Sequence, residues 1–428
     1  MMNRKCLTLL LCGILCLGMA GCGGRAPESD VSIVPPSAED LTVGIAPTPV
    51  EDKVSDGSFE SEYVRFALEL LKAEAAGKNE NVLVSPLSVE LALAMTANGA
   101  AGDTRTEMER VLGGGISTED LNGYLHTWME GLGASEKSRL QMANSIWLRD
   151  DESLTVQPSF LQTNADYYSA GVYKRPFDGD TVEEINRWVK EHTDGTIDRI
   201  VETFDADSML YLINALAFDA KWDEPYEDRS VKEGTFTSAS GEQQTAQMMT
   251  SVEYTYLDDG RATGFAKYYE GYDYSFAALL PNEGVSIHDY VDGLTAKSLR
   301  QTLLGMGDDS SQSVIAHLPK FSYDYGVSLR RTLGEMGMPT AFDGDRADFS
   351  AMGHVGPYPL YIGDVQHKTF ITVDALGTKA GAVTAVDLKC GSAMIEPKEV
   401  TLDRPFVYMI VDNTTHLPIF IGTVLEIR

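Results

Sequence analysis

Residues 376–406 form the stretch whose residue types and spacing most clearly suggest a function. Every second position is small, apolar or hydroxyl-bearing: Thr378, Ala380, Ala382, Thr384, Val386, Leu388 and Cys390. The positions between them carry all the charges of this run: Lys379, Asp387 and Lys389. Such a strand fits the middle of a sheet with its charged side in water, but its Gly and Ala content weakens its β propensity. We interpret it as a conformational switch; the alternative is an ordinary buried strand followed by a loop.

The sequence lacks the common motifs of enzymes. It contains no Gly-x-Ser-x-Gly, no His-Glu-x-x-His, no Walker loop and no Gly-x-Gly-x-x-Gly, and its seven histidines are dispersed. We therefore expect no catalytic residue, no cofactor and no metal site. A catalytic triad assembled from distant Ser, His and Asp residues is the weakest alternative.

Composition excludes several kinds of partner. The chain has 428 residues, is 43% hydrophobic and carries a formal net charge of −30. Nucleic-acid binding needs a basic surface, and electrostatic docking to anionic lipid needs one as well. Neither is expected here, and the length is sufficient to bury a large core.

The N-terminus is typical of an export signal. Asn3-Arg4-Lys5 is basic, and residues 7–20 form an apolar run too short to span a membrane comfortably. Met19-Ala20-Gly21-Cys22 resembles the bacterial lipoprotein cleavage box, which implies a signal peptide over residues 1–21 and a lipid on Cys22. A plain secretory signal cut near Ala20 is the alternative. Either interpretation predicts an exported protein, at the cell membrane or outside the cell.

Residues 22–58 are predicted to be a flexible tether because they contain five prolines and little periodic pattern. A coil of this length spans about 30–35 Å.

Of the five cysteines, Cys6, Cys12 and Cys16 leave with the signal and Cys22 would carry lipid. Cys390 then has no intramolecular partner, so we expect no disulfide in the folded part.

Helices and strands are mixed without strict alternation after the tether, which predicts an α+β fold with largely antiparallel sheets. The patterns predict helices over residues 62–76, 86–98, 103–112, 118–132, 182–192 and 325–336. They predict strands over 81–84, 141–147, 209–218, 254–256, 275–280, 313–318, 370–373, 407–411 and 419–426.

Several short motifs, in this order, resemble the serpin family. They are Asn81 to Ser88, Gly99 to Thr104, Asn214 to Trp222, Met248-Met249, Leu279-Leu280-Pro281, Leu318-Pro319-Lys320-Phe321, Gly377 to Val386 and Asp403-Arg404-Pro405-Phe406. The resemblance covers residues 59–428. It implies a serpin fold with three β-sheets, eight to nine helices and an exposed reactive loop over about 374–400.

The resemblance also assigns roles to individual residues. Gly377, Thr378, Ala380, Ala382 and Thr384 correspond to the hinge of the reactive loop. Ser85, Ser88, Asn214 and His367 correspond to the polar cluster beneath the central sheet, and Trp222 to the tryptophan under the loop. Without the resemblance, His367 and Trp222 would be read as ordinary core residues.

The implied function is inhibition of a serine protease, or a cysteine protease, by cleavage and insertion of the loop. Counting forward from Gly377 places the reactive bond between Gly391 and Ser392. Counting back from Pro405-Phe406 places it after Met394 instead, and Lys389 allows trypsin-like cleavage before Cys390. We expect a monomer. The alternative function is a non-inhibitory, serpin-fold binding lipoprotein, which the uncharged, proline-free inward face of the hinge disfavours.

Overall fold

A computed structural model describes residues 39–132, 137–205, 208–307, 312–378 and 397–427. The helices within these residues are α1 (Ser58–Ala75), α2 (Pro86–Ala97), α3 (Gly102–Gly113), α4 (Thr118–Leu132), α5 (Pro158–Tyr168), α6 (Gly179–His192), α7 (Ile287–Gly293), α8 (Ala296–Leu304) and α9 (Arg330–Met336). The first strands are β1 (Glu39–Asp40), β2 (Val82–Val84), β3 (Ser138–Arg149), β4 (Leu154–Val156), β5 (Gly171–Arg175), β6 (Leu210–Lys221), β7 (Val231–Thr237), β8 (Gln243–Glu253) and β9 (Thr255–Asp258). The remaining strands are β10 (Ala262–Tyr268), β11 (Tyr274–Pro281), β12 (Val314–Pro319), β13 (Phe321–Ser328), β14 (Gly353–Val355), β15 (Asp364–Val373), β16 (Gly377–Thr378), β17 (Lys398–Thr401), β18 (Phe406–Asp412) and β19 (Leu417–Val424).

Three main sheets organise these strands. The large sheet has the order β1-β5-β3-β6-β16-β15-β13, the six-stranded sheet β2-β19-β18-β11-β10-β9, and the four-stranded sheet β17-β12-β8-β7. A further pair, β14-β4, forms a small ribbon. The predicted α+β fold, with three main sheets and eight to nine helices, is confirmed in the described residues.

The core lies between the large sheet and the six-stranded sheet. Leu212, Leu216 and Phe218 of β6 belong to the same buried cluster as Phe276 of β11 and Tyr408 of β18. These side chains alternate along β6 with Ile213 and Ala215, which face the opposite side and pack under α6 in a second cluster. β6 is therefore buried on both faces, as expected for the central strand of a covered sheet.

Helix α2 runs through the core, and local sequence explains where it begins. Ser85 is the N-cap, and its side chain accepts the Ser88 N–H at 3.2 Å, while Pro86 occupies the first turn, where its missing N–H is tolerated. All twelve residues of α2 are buried. This start places Ser85 and Ser88 beneath the large sheet.

Two predictions from the sequence are wrong. The helix predicted over 325–336 starts only at Arg330, because Phe321, Tyr323 and Tyr325 alternate as the buried positions of β13. The tether predicted over 22–58 is too long, because β1 adds antiparallel to β5 and the Thr48 N–H donates to Asp166 at 2.7 Å. Residues Ser37–Arg428 form one compact unit.

No helix in the described part of the chain combines the length and apolar character needed to cross a membrane.

Candidate functional site

The chain makes a closed turn where β15 leads into β16. The Asp374 N–H donates to the Gly377 carbonyl at 2.9 Å, and Asp374 Oδ1 accepts the N–H groups of Leu376 at 2.7 Å and Gly377 at 3.3 Å. Val373 and Thr378 then pair as antiparallel partners. Residues 374–377, which we call the hinge turn, thus close a short hairpin.

The segment that follows β6 holds the hinge turn from its other side. The backbone N–H groups of Trp222 and Tyr226 donate to the carbonyls of Leu376 at 2.9 Å and Ala375 at 2.8 Å. The indole Nε1–H of Trp222 donates to the Asp374 carbonyl at 2.8 Å. Every carbonyl from Asp374 to Leu376 therefore has a donor from this one segment.

The first two hinge residues already lie within the large sheet. Gly377 pairs with Lys221 and Thr378 with Ala220 of β6, while Thr378 also pairs with Val373 of β15. A Cβ atom at Gly377 would lie 2.2 Å from the Ala220 carbonyl oxygen, so this close approach requires glycine.

Thr378 is directed into the core. Its side chain is 1% exposed, and its hydroxyl is 2.6 Å from the hydroxyl of Tyr269, whose ring stacks on Trp222 with centroids 4.5 Å apart. Burial raises the pKa of Tyr269, which keeps its phenol protonated and able to share this hydrogen bond. The sequence predicted that insertion begins at Thr378; in the structure, Thr378 is already inserted.

A polar cluster lies further along the same two strands. His367 of β15 and Asn214 of β6 are direct partners in the parallel pairing that joins these strands from Asp364–Tyr211 to Thr369–Leu216. The Ser85 N–H donates to His367 Nε2 at 3.2 Å, so the neutral ring carries its proton on Nδ1 and donates it to Asn214 Oδ1. Burial lowers the pKa of His367 to about 4, so the ring is neutral at pH 7.

The cluster continues across a third strand. Asn144 of β3 accepts from the Asn214 amide at 3.1 Å and from the Ser88 hydroxyl at 3.0 Å through the same Oδ1. The Ser85 hydroxyl donates to the Ile419 carbonyl of the six-stranded sheet at 2.9 Å. A row of hydrogen bonds thus crosses β15, β6 and β3 and ties them to the body beneath.

The structure brings together four of the predicted site residues: Ser85, Ser88, Asn214 and His367. Trp222 lies apart from them, at the hinge turn. The sequence reasoning missed Asn144, Tyr269 and Asp374, although Asn144 was visible as a polar residue inside the predicted strand 141–147. The remaining predicted positions lie outside the described residues: Cys22, Ala380, Ala382, Thr384, Lys389, Cys390, Gly391, Ser392 and Met394.

Comparison with known proteins identifies the family of this chain. The family profile "Serpin (serine protease inhibitor)" matches residues 61–427. The chain is a serpin. An uncharacterised serpin-like protein of Thermococcus kodakarensis is 32% identical over 438 residues, covering 98% of both chains. Leukocyte elastase inhibitor A of Mus musculus is 28% identical over 379 residues, covering 84% of this chain and 97% of its own.

Solved structures of the thermophilic serpin tengpin resemble this serpin in two states. The native state has a TM-score of 0.87 at 46% identity, covering 91% of this chain and 100% of its own. The latent state has a TM-score of 0.77 at 45% identity, covering 88% and 100%. The described arrangement of strands is therefore nearer to the native form. Membership of this family aligns the chain with protease inhibitors rather than with proteases.

Proposed function

We propose that this serpin traps a serine protease, or a cysteine protease, by letting it cleave the loop between β16 and β17 and then inserting the freed segment between β6 and β15. The observation that carries the proposal is the position of Gly377 and Thr378. These two residues lie between β6 and β15 at the end where the two strands have separated, and the polypeptide that follows them is the segment that would insert where the strands are still paired.

The pairing of Thr378 fixes the alignment of any further insertion. If the antiparallel pairing is extended one residue at a time beyond Thr378, Ala380 comes to lie between Phe218 and Ile371. In the same way, Ala382 comes to lie between Leu216 and Thr369. Counting along β6 and counting along β15 give the same alignment, because Leu216 and Thr369 are already partners in the existing pairing of these two strands. The strands need only to separate, with no sliding along their length.

The polar cluster fits this movement. In the same alignment, Thr384 comes to lie between Asn214 and His367, whose mutual hydrogen bond must break when the strands part. A threonine hydroxyl both donates and accepts, so it can replace that bond to each partner. Buried polar groups that can be satisfied in two arrangements suit a strand that opens during function.

The inserted strand would be long enough to carry the protease far from where it bound. β6 has 12 residues from Leu210 to Lys221, which pair with residues 388 to 377 in this alignment. A strand of this length spans about 40 Å. A protease linked just beyond Leu388 would therefore be moved along the whole length of the sheet.

The covalent chemistry belongs to the protease. Its nucleophile attacks the carbonyl of the residue before the reactive bond, the peptide C–N bond breaks, and the new amine leaves with the C-terminal peptide. The acyl-enzyme remains attached to the end of the inserting segment. Loop insertion in serpins is a general example of the release of stored strain, and here it would distort the protease before water can hydrolyse the acyl bond.

Cleavage is expected between Gly391 and Ser392. With this bond the acylated residue lies three positions beyond Leu388, whereas a bond after Met394 adds slack to the link between the protease and the sheet. Small residues before the bond favour a protease with a small specificity pocket, and Lys389 leaves trypsin-like cleavage as a competitor. Mass spectrometry of the C-terminal peptide, which is released when the complex is denatured, measures the position directly.

A released peptide beginning at Ser392 supports this assignment, and one beginning at Cys390 or Ile395 contradicts it. The same experiment tests the proposed function with a panel of serine and cysteine proteases. A stable complex that survives denaturing electrophoresis supports inhibition. Cleavage by every protease of the panel without any stable complex favours the binding lipoprotein.

We also propose that the protein is displayed at a cell membrane through lipid on Cys22. The lipoprotein-like box Met19-Ala20-Gly21-Cys22 supports this proposal. In a bacterial host, Cys22→Ala is expected to move the protein from the membrane fraction to the medium or the soluble fraction, because the thiol that carries the lipid is lost. Cys390→Ala is the matched control and should stay with the membrane; membrane retention of Cys22→Ala would contradict the proposal.

A further inference from the structure

A buried ion pair lies beneath the hinge turn. Lys267 of β10 is 2% exposed, and its Nζ is 2.8 Å from Oε1 of Glu253, the last residue of β8, which is 8% exposed. The Ser251 hydroxyl donates to the same carboxylate oxygen at 2.6 Å. The pair joins the six-stranded sheet to the four-stranded sheet.

The ammonium of Lys267 faces the two aromatic residues that hold the hinge turn. Its Nζ is 4.7 Å from the ring centre of Tyr226 and 5.7 Å from that of Trp222. These are the residues whose backbone N–H groups bind the carbonyls of Ala375 and Leu376. A desolvated cation against two aromatic faces is attracted to both, so it restrains the orientation of both rings.

Stability alone explains this pair poorly. Removing two charges from water opposes their attraction, and a buried ion pair is often no better than apolar side chains of the same size. Its location suggests another role. Lys267 lies under the hinge turn, where the reactive loop begins. Glu253 is the strand partner of Val314, and Val314 is the partner of Lys398 at the start of β17, where the loop ends. The ion pair therefore connects the supports of both ends of the reactive loop.

We propose that Lys267, held by Glu253, is a positioning residue for loop insertion. It fixes the rings of Trp222 and Tyr226 so that the hinge turn stays closed and Gly377 and Thr378 stay paired in the sheet. The part of the proposal that concerns insertion rests on the function proposed above.

The direction of the effect follows from the geometry of the turn. The hydrogen bonds from Trp222 and Tyr226 go to residues 374–376, which precede the first inserted residues, Gly377 and Thr378. Insertion of the residues after Thr378 therefore leaves these hydrogen bonds in place. Closing the turn before cleavage therefore supplies the nucleus from which pairing extends toward Ala380. Loss of the ion pair loosens this nucleus, slows insertion and gives the protease time to hydrolyse the acyl-enzyme.

The test uses the double variant Lys267→Met with Glu253→Gln in the full-length protein. Both substitutions keep side-chain length and leave no unpaired buried charge. Hydrogen exchange followed by mass spectrometry is expected to show amides of residues 374–378 exchanging about tenfold faster than in the wild type. The number of serpin molecules consumed per trapped protease is expected to rise severalfold.

The matched control is Lys78→Met with Glu74→Gln. This pair also joins a lysine to a buried glutamate, with Nζ and Oε2 3.0 Å apart, and its ammonium lies 4.9 Å from the ring centre of Tyr325, but it packs on β13. The control is expected to leave exchange at residues 374–378 unchanged even where it lowers overall stability. Equal exchange at the hinge turn in both double variants would overturn the positioning role.

The two measurements separate the two proposals. Faster exchange at the hinge turn with no protease trapped by the wild type supports the positioning role and contradicts inhibition. Faster exchange with unchanged consumption per trapped protease overturns the link between positioning and insertion.

Discussion

Replacing Ala380 with Arg is expected to convert this serpin from an inhibitor into a substrate. In the alignment fixed by Thr378, position 380 enters the sheet between Phe218 and Ile371, which are 3% and 2% exposed. A guanidinium there would lose its hydration without gaining a carboxylate, at a cost of several kcal/mol. Pairing would stop after Thr378, and the acyl-enzyme would hydrolyse. Denaturing electrophoresis should show cleaved serpin and almost no covalent complex.

Lys379→Arg is the matched control, since it introduces the same side chain one residue earlier. Position 379 aligns with Asp219 on the opposite face of the sheet, where a cation already stands in the wild type. This variant should trap protease at the wild-type yield. Full trapping by Ala380→Arg would show that the loop does not insert in this alignment. Thr378→Arg is a poorer test, because Thr378 is already buried before cleavage.

Much of the fold could be predicted because its signals are local. The start of α2 is encoded by Ser85-Pro86, and the strands around Leu212 and Tyr408 are short apolar runs. Period-two alternation also predicts Thr378 on the inward face of the hinge, and Thr378 is buried in the structure.

The errors in the fold arise where tertiary contacts decide. β1 is only two residues long and exists because the edge of β5 offers hydrogen-bond partners, which no local pattern reveals. The last four residues of β13 were mistaken for the start of a helix because the pattern around Tyr325 continues into α9 without a break. The burial of Glu90 also has no local signal: it is fully buried inside α2, and burial raises its pKa well above the usual range.

The candidate site was predicted in part. Ser85, Ser88, Asn214 and His367 were grouped by family resemblance, and the structure places them in one hydrogen-bonded row. Tyr269 and Asp374 were not predicted, because Tyr269 contacts residues distant in sequence and Asp374 acts through hydrogen bonds within a turn. Lys267 and Glu253 look like ordinary strand charges in the sequence, and only packing buries them.

Acid is expected to weaken the native state through His367. Its pKa is about 4 in the folded protein and about 6.5 when exposed, so the unfolded state binds the proton more readily. The stabilisation is complete above pH 6.5 and is lost as the pH falls toward 4. This one group should reduce the free energy of unfolding by about 2 kcal/mol at pH 5 and about 3 kcal/mol at pH 4.

Protonation also removes a specific contact between the strands and the body. A protonated Nε2 cannot accept the Ser85 N–H, so the row that joins β15 to α2 is broken at His367. β6 and β15 should then separate more easily, and the uncleaved loop should insert and lose activity faster at pH 5 than at pH 7.5. Residual protease-trapping activity after incubation at each pH measures this rate.

His367→Gln should flatten both pH profiles, because Gln has no titrating group in this range. The exposed His354 provides the control, and His354→Gln should keep the wild-type dependence on pH. Overall loss of stability in His367→Gln does not affect the test, since the expected difference is in the slope between pH 7 and pH 4. If His367→Gln keeps the full slope, the acid sensitivity arises from other groups, and the row at His367 does not control the separation of β6 from β15.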